Sequence, residues 1–125
     1  MNNKEYFQKT LDFITNLKSN WVIGAVPIHQ DIIDITQKLI NELSDDELEN
    51  WSIGPFVNGS IMLSYKYEDK NMVINIAQIG MSYVFYKTGH IGEMGQHPFN
   101  SGDIHMDDGY FKMKYLIQNA KTLHY

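Results

Sequence analysis

The sequence predicts an α+β fold: two N-terminal helices, an antiparallel sheet of about four strands and a C-terminal helix, in one domain spanning residues 1-125. Three observations predict it. Before Ser44 the apolar residues recur at intervals of three and four, the helical period. From Trp51 to Lys87 they alternate at period two between strong turn signals, and after Gly109 the helical period returns. Helices separated in sequence from a run of strands cover an antiparallel sheet most simply from one side.

The first helix is expected from Lys4 to Leu17, where Phe7, Leu11, Ile14 and Leu17 form a stripe that Tyr6 and Phe13 widen. It ends near Ser19-Asn20. The loop Trp21-Val22-Ile23-Gly24-Ala25-Val26-Pro27-Ile28 follows, and a loop this apolar is expected to be packed down. Pro27 opens a second helix with Ile32, Ile35, Leu39 and Leu43 as its buried stripe, broadened by Ile33 and Ile40. Asp31 and Asp34 stand near the positive end of its dipole. Ser44-Asp45-Asp46-Glu47 has the spacing of a capping box, in which Ser44 and Glu47 satisfy each other's free backbone donors, so a short helical turn starts there.

In the sheet region, Asn58-Gly59 between apolar runs predicts a type I′ hairpin turn, since both residues tolerate positive φ. Ser60 to Tyr67 then places Ile61, Leu63, Tyr65 and Tyr67 on one face and Met62, Ser64 and Lys66 on the other. A turn at Glu68-Asp69-Lys70-Asn71 leads to the strand Met72 to Ile79, and Ser82 to Lys87 is β-branched and aromatic enough to continue an antiparallel meander. Thr88 to Gly109, rich in glycine and containing Pro98, reads as a long loop with at most a short edge strand near Ile104 to Met106. Asp108 is the expected N-cap of a last helix from Tyr110 to Leu123, whose face is Tyr110, Met113, Leu116, Ile117 and Ala120.

Composition narrows the function classes. The chain has 125 residues, no cysteine and a formal charge of -5. Disulfides and thiolate chemistry are excluded, and any metal would need His and carboxylate ligands. All the basic residues are lysine. Without arginine's bidentate fork, and with a net negative charge, the chain is poorly equipped for nucleic acid, which is not an expected partner. No apolar run approaches the roughly 20 residues of a membrane helix. Met1-Asn2-Asn3-Lys4-Glu5 lacks the blocks of a signal peptide, so a cytoplasmic protein is expected.

Catalytic motifs are sparse. His90, Glu93, His97, Asp103, His105, Asp107 and Asp108 gather possible metal ligands in the long loop. They supply the alternative reading of a metal-dependent small-ligand enzyme using residues 90-108. His-Glu-x-x-His is absent, and the calcium-loop likeness of Asp103 to Gly109 fails at Lys114, where the closing glutamate would stand. Ser52, Ser60, Ser64, Ser82 and Ser101 lie in no nucleophile elbow. Gly89-His90-Ile91-Gly92-Glu93-Met94-Gly95 lacks the Lys-Ser/Thr of a phosphate loop. No cofactor, metal or catalytic residue is assigned.

Binding features are more prominent. Glu42, Asp45, Asp46, Glu47 and Glu49 make the junction before Trp51 the most acidic part of the chain, either a solvated helix start or a patch for a basic partner surface. Tyr65, Tyr83 and Tyr86 lie on strands that should be neighbours, and serve either as core or as an outward binding surface of the kind enriched in Tyr and Met.

Two segments, Asn20-Trp21-Val22-Ile23-Gly24-Ala25-Val26-Pro27-Ile28 and Pro55-Phe56-Val57-Asn58-Gly59-Ser60-Ile61-Met62-Leu63-Ser64-Tyr65, resemble a family of small uncharacterised bacterial α+β proteins. Its members carry a Trp-Asp-Gly-Tyr-Gly-Ala-x-Pro-Ile-like loop and a Pro-x-x-Asn-Gly-x-Ile-x-Leu-Glu-Trp-like hairpin. Aligned on Gly24 to Ile28, the family's Trp-Asp-Gly-Tyr falls on Asn20-Trp21-Val22-Ile23, and Ser64-Tyr65 replaces Glu-Trp, so both acidic positions are lost. The resemblance spans roughly residues 11 to 87. It implies a bacterial or mobile-element origin and the same arrangement of helices and sheet, but no activity or cofactor. In architectural terms, Trp21 is expected to plug the core, Gly24 and Pro27 to shape the turn, and Asn58-Gly59 to set the hairpin register.

The combined expectation is a non-catalytic protein-binding module, an inhibitor or regulator of the immunity-protein, antitoxin or phage anti-defence kind. Its partner surface is expected at the acidic junction and the sheet tyrosines. A homodimer joined through an exposed strand edge is a further expectation.

Overall fold

The computed structural model describes residues 1–90, 92–99 and 108–125. The elements are α1 (Asn3–Thr15), α2 (Gln30–Glu42), a 3-10 turn (Asp46–Leu48), β1 (Trp51–Pro55), β2 (Ile61–Tyr67), β3 (Lys70–Ala77), β4 (Gly80–Lys87), β5 (Glu93–Pro98) and α3 (Asp108–Gln118). The five strands form one antiparallel meander in the order β1-β2-β3-β4-β5. The fold is α+β, with two N-terminal helices, a five-strand antiparallel sheet and a C-terminal helix.

The helices form one layer over one face of the sheet, α1 near β1, α2 near β3 and α3 near β4 and β5. The period-two pattern decides which face is covered. Trp51 and Ile53, Ile61, Leu63 and Tyr65, Met72, Ile74 and Ile76, and Met81, Tyr83 and Phe85 all point to the helices and are buried. They meet Phe7, Leu11 and Ile14 of α1, Ile32, Ile35 and Leu39 of α2, and Tyr110, Met113 and Ile117 of α3 in one hydrophobic cluster. The alternate residues of β2, β3 and β4 are half-exposed or exposed on the open face. Among the described residues no helix is long and apolar enough to cross a membrane.

Several local expectations need correction. The stretch read as a loop after Thr88 contains β5, at Glu93–Pro98. The edge strand suggested near Ile104 to Met106 lies outside the described residues. Tyr6 and Phe13 are exposed and do not widen the α1 stripe. Asp108 is the first residue of α3 rather than its cap, and α3 ends at Gln118 rather than Leu123. The Asn58-Gly59 turn is not type I′, because only Gly59 has positive φ, +90°. Instead Phe56 N–H donates to the Ser60 carbonyl at 2.9 Å and Gly59 N–H to the Phe56 carbonyl at 3.0 Å, closing a three-residue loop with glycine in the left-handed region. Asn58 folds back to accept from the Ser60 N–H and hydroxyl at 3.1 and 2.6 Å.

Candidate functional site

The acidic junction is largely occupied by the fold. Ser44 N–H donates to Glu47 Oε1 at 2.8 Å and Glu47 N–H to Ser44 Oγ at 3.2 Å, the reciprocal capping box expected from the spacing. Asp45 accepts the Lys4 N–H at 2.9 Å and so satisfies a free donor in the first turn of α1. Glu42 accepts from the Tyr110 hydroxyl at 2.5 Å and pairs with Lys38 and Lys114 at 2.9 and 3.2 Å. The Tyr110 hydrogen bond, followed by that of Lys38, holds the Glu42 carboxyl down at about 2. Glu49 faces Lys121 at 3.4 Å in an exposed pair. Four of the five acidic residues thus already have partners within the chain.

The sheet tyrosines divide by face. Tyr65 and Tyr83 do not present outward: they belong to the covered face, 3% and 8% exposed. The β1–β2 register sets Tyr65 opposite Trp51, with ring centroids 5.1 Å apart. Burial raises the Tyr65 phenol above its ordinary value. Tyr83 lies parallel to His97 at 6.2 Å and donates to Glu93 at 3.2 Å, so two of the candidate metal ligands are engaged with a core tyrosine. Tyr86 alone of the three is on the open face, half-buried opposite Asn71. Asp103, His105 and Asp107 lie outside the described residues, and among the described residues no three metal-ligating side chains form a group.

The most distinctive surface includes the apolar loop expected to be packed down. Within that loop only Ala25 and Ile28 are packed down. Ile23 is 101% exposed, and Val22, Val26, Phe56 and Val57 are exposed by 42% to 44%. Trp21 is half-buried and lies outside the core cluster; its indole N–H donates to the Val26 carbonyl at 2.9 Å. It braces the loop rather than plugging the core.

Local chemistry explains the shape. Ala25 N–H donates to the Val22 carbonyl at 2.9 Å, closing a turn with Ile23 and Gly24 at its centre. Gly24 has φ +81°, the conformation that the second central position of a type II turn requires. Ile23 is thereby set at the apex. Asn20, itself at φ 60°, ties the base, its N–H donating to the Ala25 carbonyl at 2.7 Å and its side chain accepting from Gly24 N–H at 3.2 Å. The β1–β2 hairpin is joined to this loop, Val26 N–H donating to the Val57 carbonyl at 3.0 Å and His29 N–H to the Gly59 carbonyl at 3.4 Å. Buried Ala25 and Ile28 anchor it below.

The result is an apolar tip made of two turns held together by backbone hydrogen bonds. Residues 19–30 and 50–65, which supply it, contain no Lys, Asp or Glu. An available signal was this coincidence of two charge-free stretches, each rich in turn formers, since turns belong on surfaces and their apolar side chains go with them. Comparison with protein-family models, with curated proteins and with solved structures finds no match to this chain.

Proposed function

We propose that this protein is a non-catalytic protein-binding module, an inhibitor or regulator of another protein, and that it engages its partner through the apolar tip. The observation that carries this reading is the exposure of Val22, Ile23, Val26, Phe56 and Val57 on two turns bonded to each other. The largest contiguous exposed apolar patch on a monomer is often functional. Turns fixed in advance lose little freedom on binding, which favours affinity.

The test is affinity capture from the native host and its phages, followed by calorimetry with the purified partner. Ile23→Asp and Phe56→Asp are expected to weaken binding by at least about 100-fold, the loss typical of central contacts. Asp46→Asn is expected to change it by less than about 3-fold, as rim charges do. A partner bound equally by the wild type and both tip variants would overturn this reading.

A further inference from the structure

The open face of the sheet adjoins the tip at Asn75, whose side chain donates to Ser60 Oγ at 3.0 Å, but has its own character. Of the side chains that the register puts on it, Lys66 is the only charged one among the described residues, although the chain carries 15 carboxylates. Two adjoining depressions of about 340 and 380 Å³ lie over β3, β4 and β5, and both are lined by Ser82 and Gln96. These two residues are directly opposite each other in the β4–β5 register. Ile79, 85% exposed, stands at one depression and Met94, 75% exposed, at the other.

We propose that this face pairs with a second copy of the chain in a twofold dimer, sheet against sheet. A twofold axis lying across the strands over the Ser82–Gln96 row sets the Met94 side of one copy against the Ile79 side of the other, and the reverse. Each projecting side chain then meets a depression, the self-complementarity that an isologous interface requires. Charge leaves this face open to a second copy. Two copies at -5 each repel over most of their surfaces, and least where the carboxylates are absent. The area reaches the low end of a specific interface: strands about 4.8 Å apart and about seven residues long at about 3.4 Å per residue give a face about 24 Å on each side, about 580 Å² in projection. Such a face approaches the roughly 800 Å² of accessible surface that each partner buries in a standard interface.

Sedimentation equilibrium from micromolar to submillimolar concentration, with concentration-dependent amide NMR shifts, tests the pairing. The wild type is expected to dimerise, with shifts at Asn75, Ser82, Val84 and Met94. Ser82→Lys and Gln96→Lys are expected to raise the dimer dissociation constant by at least 100-fold at unchanged circular dichroism, and Ser82→Ala to leave it within about 3-fold. Gln96 is exposed on the edge strand, so its variant carries the test should Ser82→Lys not fold. Ile23→Asp is expected to dimerise normally, which separates this pairing from partner binding at the tip. A wild type monomeric throughout, a dimer that survives Gln96→Lys, or shifts confined to residues 22–26 would overturn the proposal.

Discussion

Tyr110 and Glu42, separated by 68 residues in the chain, meet at 2.5 Å, the buried phenol of α3 donating to the carboxylate at the end of α2. Lys38 Nζ stands 3.7 Å from the centroid of the same ring and also pairs with Glu42, so a cation, a ring and a carboxylate close the seam between the helices. Glu42→Gln is expected to cost about 1 kcal/mol at neutral pH, a modest figure because the carboxylate is partly exposed and screened. The sign with pH follows from the depressed carboxyl, held at about 2 against an ordinary 4.5. The stabilisation is fully present above about 4.5 and is lost as pH falls toward 2. Melting curves of wild type and Glu42→Gln should therefore lie apart at pH 7 and converge by about pH 2; a constant gap would contradict the assignment.

Asp45 and Asp46 are neighbours with different work. Asp45 takes the Lys4 N–H and the Asn3 side-chain amide, at 2.9 and 3.4 Å, and so fastens the start of α1 to the turn before β1. Asp45→Ala is expected to cost about 1 kcal/mol, as loss of a helix cap does, whereas Asp46→Asn should fall within about 0.5 kcal/mol. Urea denaturation distinguishes the two, and equal losses would show that the acidity of the junction matters rather than its hydrogen bonds.

The difference between these aspartates also marks what the sequence made legible. Phe7, Leu11 and Ile14, or Met72, Ile74 and Ile76, announce their elements because periodic burial is written in the residue types themselves. The Ser44–Glu47 capping box is equally local. β5 was illegible because Glu93-Met94-Gly95-Gln96-His97-Pro98 has little strand propensity of its own; its pairing with β4 makes it a strand. Gly95 lies where an added Cβ would be 2.7 Å from the Tyr83 hydroxyl, a fit that only the folded sheet reveals. The apolar loop departs from its expectation for the opposite reason: apolar residues usually predict burial, and Val22, Ile23 and Val26 break that rule.

Turn chemistry separates two further substitutions. Gly59 has φ +90°, and a Cβ there would stand 3.1 Å from both the His29 ring and the Pro27 carbonyl. Gly59→Ala is therefore expected to destabilise by about 2 kcal/mol or more, since strain and crowding add. Glu68, between β2 and β3, holds φ 55° without being glycine. Glu68→Gly should raise stability by up to about 1 kcal/mol, the relief of a strained L-residue less the extra freedom that glycine gives the unfolded chain. Thermal melts of both variants check the opposite signs.

At the tip, binding should respond far more than stability. The fully exposed Ile23 side chain contributes almost nothing by burial within the monomer. Ile23→Asp is thus expected to leave the melting temperature within about 2 °C, the shift that roughly 0.5 kcal/mol produces. Gly24→Ala sharpens the test. An added Cβ meets no atom within 4 Å, so packing tolerates it, but φ +81° disfavours any side chain. The strain amounts to about 1 kcal/mol and is relieved most readily by reshaping the turn that sets Ile23 at its apex. Partner affinity should then fall in Gly24→Ala by more than its small loss of stability implies, while partner-free circular dichroism stays that of the wild type. An affinity loss no larger than the stability loss would mean that the partner reads the hairpin residues Phe56 and Val57 rather than the shape of the loop.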